Sequence, residues 1–359
     1  ETMKTTNYIM NGKLVQGFSA SKMINQDLSW ESTRVINVGL DLGLFNNQLT
    51  AELDWYDRFT TGMIRGSSIS SILSGYDAPR VNIADLRNRG IEANITWRSK
   101  VGKLDYSINV NASYNVNKLE EWGDHLDRGW TALNMPYHFL YIYEAYPGLV
   151  QSWNQIYNAP YQGNYTAPGD ILIKDLNGDG IIDTNDRTMI GRGLPIHTGG
   201  FTNDFEYKGF DLSIFFQWSY GNDVLNANRL FFENVNNSRN LNQYATYADR
   251  WTPENPTSNI PVAKNSSSNK VVSSRVIEDG SFLRLKTLTL GYTLPKKALR
   301  KWGISTARVY VAGQNLWTIS GYSGYDPEVS IRNSALTPGL DYSAYPRAYA
   351  VNFGINLGF

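Results

Sequence analysis

Apolar and polar residues alternate with period two along much of the chain. From Leu104 one set reads Leu104, Tyr106, Ile108, Val110, Ala112, Tyr114, Val116, and the interleaved set reads Asp105, Ser107, Asn109, Asn111, Ser113, Asn115, Asn117. A strand puts these sets on opposite faces, one wholly apolar and one wholly polar. The split recurs at Ile36–Leu44, Leu49–Tyr56, Ile91–Arg98 and Phe210–Ser219, where Phe215 is the one apolar intruder on the polar side. Such runs exceed the ~5 to 6 residues of a usual globular strand and match the ~9 to 11 of a tilted membrane strand.

The connections carry the same message. Short turns at 45–48, 99–103 and 207–209 alternate with long Asn/Ser/Gly-rich segments at about 60–87, 118–198, 221–280 and 318–346. Outer-membrane barrels place short turns on the periplasmic side and long loops outside. If the last strand, 347–359, runs inward, strands at 306–317, 282–294, 210–220 and 199–207 alternate in direction. Every short turn then falls on one side. The rule continues through 104–117, 88–98, 49–58 and 33–45 provided that 118–198 contributes an even number of strands. The 295–305 connection has room for a helical turn, and a further strand is expected near Tyr8–Phe18. The strand at 282–294 breaks alternation, because Arg284 and Lys286 share the parity of Leu288, Leu290 and Tyr292; a bulge near Lys286 would reconcile it. The expected fold is all-β: about ten antiparallel strands of a transmembrane barrel with long extracellular loops.

Composition fits this picture. Lys plus Arg and Asp plus Glu are equal at 33 each, so no charge excess points to nucleic acid. Tyr, Trp and Phe make up 13% of the residues, and Trp97, Tyr106, Tyr207 and Phe210 sit beside short turns as an interfacial girdle would. The absence of cysteine excludes disulfides and thiolate chemistry. No apolar run approaches the ~18 to 20 residues of a spanning helix, and the first residues carry no signal-peptide core. The end alternates Tyr349, Val351, Phe353, Ile355, Leu357, Phe359 with small or polar residues. An alternating last strand with terminal Phe359 looks like the assembly signal of outer-membrane barrels.

One motif carries explicit chemistry. Asp175, Asn177, Asp179, Asp183 and Asp186 stand at positions 1, 3, 5, 9 and 12 of a calcium loop with Gly180 at 6. The Ile181 carbonyl would supply the position-seven oxygen, and Asp186 replaces the usual Glu. A structural calcium stiffening the segment at about 118–198 is expected. Trp122, Trp130, Trp153 and Trp251 fall in the outer loops, where they would stack on sugar rings, pack loops or meet a partner. His125, His138 and His197 are far apart, and no carboxylate pair is diagnostic of hydrolysis.

Several segments resemble the SusC/RagA-like TonB-dependent transporters of Bacteroidetes. They include Leu28-Ser29-Trp30-Glu31, Asn37-Val38-Gly39-Leu40-Asp41, Leu86-Arg87-Asn88-Arg89-Gly90-Ile91-Glu92, Pro168-Gly169-Asp170, Asp175-Leu176-Asn177-Gly178-Asp179-Gly180, Tyr207-Lys208-Gly209-Phe210-Asp211-Leu212, Ser281-Phe282-Leu283-Arg284-Leu285-Lys286 and Gly313-Gln314-Asn315-Leu316. The resemblance covers nearly the whole chain. It implies that residues 1–359 are the C-terminal part of a barrel of roughly 22 strands. A signal peptide, a carboxypeptidase-like domain, a TonB box and a plug would precede them in the whole protein; none is recognised here. It further implies an outer-membrane importer of large nutrients, typically oligosaccharides and in some members peptides. The partners implied are a SusD-like surface lipoprotein, TonB acting through an N-terminal part, outer-membrane lipid, the remaining barrel with its plug, and a second barrel if barrels pair as dimers. No bond chemistry follows, so an enzyme is not expected. A siderophore-type receptor would share the barrel pattern. A secreted carbohydrate-binding β-domain would share the calcium loop, although a dockerin carries two tandem loops and this sequence shows one.

Overall fold

The computed structural model describes residues 3–22, 24–67, 76–123, 139–163, 166–234, 242–264, 271–329 and 338–359. Nine long strands form one sheet: β3 Ser32–Leu44, β4 Leu49–Gly66, β5 Arg80–Val101, β6 Leu104–Trp122, β7 His197–Tyr207, β8 Phe210–Tyr220, β9 Phe282–Thr293, β10 Thr306–Ser320 and β11 Ala350–Gly358. Their spatial order is their chain order, from β11 at one edge to β3 at the other, so the sheet is open. β7 pairs directly with β6, from His197 opposite Tyr114 to Tyr207 opposite Leu104. The long segment between them therefore adds no strand to this sheet, which satisfies the even-number condition.

Two turns show why the hairpins form where they do. Lys208 and Gly209 both have positive φ, 48° and 87°, the backbone of the two-residue turn that matches strand twist. Asn11 and Gly12, at 50° and 72°, do the same between β1 Met3–Met10 and β2 Lys13–Ala20. This pair is a separate two-stranded sheet. The expectation of one strand across Tyr8–Phe18 is therefore corrected: Asn11-Gly12 folds that run back on itself, with Tyr8 opposite Val15.

The strand near the outer loops also runs further than alternation suggests. β4, β5 and β6 are 18, 22 and 19 residues long, where ~9 to 11 cross a bilayer. The connection expected at 60–87 shrinks to 67–79, because the ladder continues past the point where outward residues stop being apolar. The bulge is at Lys286: Phe215 pairs Thr287 while Phe216 pairs Leu285, leaving Lys286 unopposed. The extra residue restores one apolar face, with Leu283, Leu285, Leu288, Leu290 and Tyr292 together and Arg284, Thr287 and Thr289 on the other. Lys296–Leu299 forms the helical turn in the 295–305 connection.

The apolar face of the sheet is uncovered. Ile36, Val38, Leu40, Val110, Tyr114, Val351, Phe353, Ile355 and Leu357 are all exposed. Bare apolar rows of this extent need hydrocarbon, not water, beside them. At the short turns, Trp97 Nε1 donates to Tyr106 Oη at 3.3 Å, and Phe45 meets Trp97 edge-on. These rings with polar tips suit the interface. No helix among the described residues is long and apolar enough to cross a membrane.

The chain divides into two compact units, and β3 to β6 run through both. The first holds residues 1–38, 55–90 and 116–137; the second holds 39–54, 91–115 and 138–359. In the second unit the buried apolar core lies in the long connections rather than in the sheet: Leu149, Ile171, Ile173 and Trp251 pack together with Tyr143, Ile182 and Val262 around them.

Candidate functional site

The polar face of the sheet is a hydrogen-bonded wall. Asn94 donates to Glu52 at 3.0 Å, and Asn109 donates to Asn94 at 2.7 Å and to Thr96 at 2.8 Å. Each pair joins neighbouring strands, so side-chain amides tie the ladder a second time. A cavity of about 340 Å³ opens on this wall, lined by Glu52, Asp54, Glu92, Asn94, Asn111 and Ser113. Register explains the glycines facing it: a Cβ on Gly39 would lie 2.7 Å from the Asp54 carboxylate. Nearer the short turns Arg308 forks onto Asp211, with Nε 2.9 Å from Oδ1.

Above the bulge the same face carries a buried ion network. Arg284, only 3% exposed, donates to Asp326 at 2.5 Å, to Glu328 at 2.9 Å and to Thr318 at 3.0 Å. Asp326 also accepts the N–H groups of Glu328 and Arg347 at 2.9 and 3.0 Å. Burial alone would raise its pKa; those two N–H groups, then Arg284, hold it below the usual carboxylate range. Lys286 and Arg347 reach Glu328 at 3.5 and 2.9 Å. The bulge thus places two cations where one would fit, and they pin the chain just beyond β10 to the wall. The broken alternation at Arg284 and Lys286 is visible in the sequence. Nothing there identifies the Asp326-Pro327-Glu328 partner, which lies 42 residues on from Arg284.

In the outer connections Pro168-Gly169-Asp170 acquires a physical role. Gly169 has φ +88°, and a Cβ there would meet the Trp251 ring at 2.5 Å and Val262 at 2.6 Å. Asp170, fully buried, accepts the Ala167 N–H at 2.7 Å and pairs with Lys264. Trp251 is 7% exposed, and its Nε1 donates to Gln151 Oε1 at 3.2 Å. The expectation that Trp251 stacks on a sugar is therefore corrected, because both its ring and its polar tip are spent inside the loop core. Trp153, by contrast, opens the helix Trp153–Tyr157 and is 55% exposed, with Tyr157 one turn on and 80% exposed. Trp122 ends β6, half-buried. Trp130 lies outside the described residues.

A second concavity of about 390 Å³ lies beside this core, between Tyr146, Leu149 and Ile171 on one side and Arg229, Asn259 and Arg275 on the other. Arg275 pairs with Glu233, and Arg229 with Glu233 and Glu278. Burial would raise the Glu278 carboxyl; the Ser323 N–H and hydroxyl, then Arg229, pull it below its ordinary value.

The loop at 175–186 closes on itself. Asp175 accepts the N–H of Gly178 at 2.7 Å and of Gly180 at 2.8 Å, and Gly180 takes φ +83° as position six requires. Asp179 accepts the Ile181 N–H at 2.8 Å and Asp183 the Asn185 N–H at 2.7 Å. Asp186, fully buried, accepts the Leu176 and Asp183 N–H groups at 2.9 and 2.8 Å, and those bonds, the Asp183 one first, depress its pKa against the pull of burial. Among the described residues no three His, Asp or Glu side chains converge as metal ligands. Each carboxylate is instead turned toward backbone N–H groups of its own loop. Tyr161 joins this loop through Ile181, exchanging N–H and C=O bonds with Gly180 and Ile182 at 2.8 and 2.9 Å.

No protein-family model matches the chain. Among curated proteins it is similar to TonB-dependent receptor P3 of Formosa agariphila, 34% identical across 98% of this chain and 36% of the relative. It is also similar to TonB-dependent receptor SusC of Bacteroides thetaiotaomicron, 27% identical across 98% of this chain and 35% of the relative. The chain spans about a third of the length of these relatives. Among solved structures it is similar to the RagAB peptide transporter, with a TM-score of 0.80 and 27% identity across 99% of this chain and 38% of that one. A likeness in both sequence and fold that leaves almost no residue of this chain uncovered accounts for the open sheet, its bare apolar face and its polar wall as one thing: the chain is homologous along nearly its whole length to part of the SusC/RagA-like TonB-dependent receptors, which are outer-membrane β-barrel proteins.

Proposed function

We propose that the whole protein is a TonB-dependent importer of large, hydroxyl-rich nutrients, oligosaccharides first, across the outer membrane, and that it transports without bond chemistry. The observation that carries this reading is the polar wall. Its groups at Asn94, Asn109 and Ser113 are tied across strands, with Asn111 beside them, so they offer a solute donors and acceptors already ordered. A peptide cargo is the second reading, favoured by the fold shared with the RagAB peptide transporter. In the oligosaccharide reading Trp153 and Tyr157, one turn apart and exposed, supply stacking surface for sugar rings, and Trp122 and Trp130 are proposed as further sugar contacts. A SusD-like lipoprotein lies over the outer connections, TonB acts through a segment ahead of this chain, and a plug with the remaining strands completes the barrel. Phe359 serves as the assembly signal.

The loop at 175–186 takes a structural calcium in the same proposal. Asp175, Asn177, Asp179, Asp183, Asp186 and the Ile181 carbonyl are its ligands, trading some backbone bonds for the ion. Loading with calcium protects the loop from protease if this is right; identical cleavage in calcium and in chelator discards it.

The importer reading is tested by deleting the gene and following uptake of fluorescent oligosaccharides and peptides. Loss of oligosaccharide uptake that is restored by the whole protein, and abolished by a protonophore, supports it. Unchanged uptake of the sugars with loss of peptide uptake moves the cargo to the second reading.

A further inference from the structure

In the first unit the outward face of β3 to β6 changes character abruptly. Ile36 and Val38, exposed on β3, Trp55 on β4 and Val116 on β6 are the last of its apolar residues before the charges begin, and Phe59 beyond them lies under Arg87. Beyond them on the same face stand Arg34, Asp57, Phe59, Arg87, Arg89, Lys118 and Glu120. The facing is settled by side-chain bonds. Asn88 and Asn117 are joined at 2.7 Å, and Thr33 and Thr60 at 2.9 Å, on the inner face, so their neighbours in sequence point outward.

These charges are organised rather than scattered. Arg87 forks onto Asp57, Nε to Oδ1 at 2.8 Å and a terminal nitrogen to Oδ2 at 2.5 Å. It also lies 3.7 Å from Glu120 and covers the Phe59 ring at 5.6 Å. Arg89 touches Asp57 only through Nε, at 3.4 Å, and its side chain is 52% exposed. Arg34 is exposed and Lys118 half-buried, and neither has a hydrogen-bond or ion-pair partner among the described residues. Arg87 engages Asp57 and Glu120, and Asp85, the third carboxylate of this face, accepts the Gly62 N–H at 2.9 Å, which leaves the terminal nitrogens of Arg89 with Arg34 and Lys118 as three cations facing out. Strands ~4.8 Å apart make the patch roughly 15 Å wide across β3 to β6.

We propose that this patch holds the phosphorylated head group of an outer-leaflet glycolipid. The ends of β3 to β6 at the long connections face outside by the topology of such barrels, so the patch lies where outer-leaflet head groups begin. Its apolar neighbours Ile36, Val38, Trp55 and Val116 would lie along acyl chains directly below, and this is why the ligand is a lipid and not free phosphate. Asp57 does not oppose the anion. It neutralises Arg87 and holds both guanidinium groups against the wall, so that Arg89 presents its remaining N–H donors to a phosphate in the paired geometry arginine favours.

The test uses the full-length protein in detergent, with lipid A, the same lipid after removal of its phosphates, and inorganic phosphate as probes, read by native mass spectrometry. The variant is Arg34→Gln, Arg89→Gln and Lys118→Gln together. Retention of lipid A that falls about a hundredfold in the variant is expected, at roughly fivefold per cation. Wild-type protein should also lose the dephosphorylated lipid, a comparison that does not depend on the variant folding. Equal retention of both lipids, or no difference between wild type and a folded variant, overturns the proposal. Displacement of lipid A by millimolar inorganic phosphate overturns its lipid specificity. A protein that enters no detergent micelle would instead refute the barrel itself, a separable result.

Discussion

Arg284→Met removes the donor that holds the chain beyond β10 to the wall. The variant keeps the volume and loses bonds to Asp326, Glu328 and Thr318 at 2.5, 2.9 and 3.0 Å. Glu328 retains Arg347 and Lys286, so its loss is small. Asp326 is the costly partner: its side chain is 5% exposed, and it would keep only two backbone N–H groups for a full negative charge. Breaking a buried pair from one side costs about 3 to 5 kcal/mol, and the two remaining bonds place this case at the lower end, about 3. By contrast Arg347→Gln, with a side chain 49% exposed, should cost about 0 to 1 kcal/mol. Heat-dependent gel mobility of the whole protein in detergent reads barrel stability, and limited proteolysis reads residues 321–329. The acid limb carries a signature. The Asp326 carboxyl is held below its ordinary value in the folded protein, so its contribution is complete above the unfolded pKa of ~3.9 and fades as pH falls through the lower folded value. Arg284→Met should flatten that limb. A loss below about 1 kcal/mol with unchanged cleavage would mean that water already solvates Asp326 and that the network holds nothing.

Deleting Lys286 removes the extra residue of the bulge, which turns Arg284 toward lipid and Leu283 and Leu285 toward the wall. Arg in the lipid face costs up to about 2 to 4 kcal/mol, so folded protein should disappear from the outer membrane, while Lys286→Gln should leave it there. Trp251→Ala empties the loop core at a cost of about 3 to 5 kcal/mol, seen as faster proteolysis of the outer connections; Trp153→Ala should leave proteolysis unchanged. Asp186→Ala leaves the Leu176 and Asp183 N–H groups unpaired at about 1 to 3 kcal/mol, measured by amide exchange in the loop. Because its carboxyl is depressed, wild-type protection should persist above the ordinary carboxylate range and fail only in stronger acid.

Nine of the strands, their alternating directions and the bulge were legible in the residues, since a strand exposed to lipid on one side and to a polar interior on the other can satisfy both only with period-two alternation. That signal ends at the lipid boundary. Beyond it β4, β5 and β6 continue with Asp57, Arg87 and Glu120 outward, and a ladder between two polar faces leaves no hydrophobic trace. Asn11-Gly12 was present as a turn signal, yet the alternating residues around it read as one strand. The loop at 175–186 was legible too, because its Asp and Asn residues are local in sequence, and the turn at Gly180 follows from their spacing. What only the tertiary structure decided is where distant segments meet. Trp251 is a core residue because Gly169 and Val262 close on its ring, and Arg284 is a clamp because Asp326 and Glu328 return to it. Alternation records which environment a side chain faces, whereas a partner tens of residues away is chosen by packing and charge neutralisation, which no local period encodes.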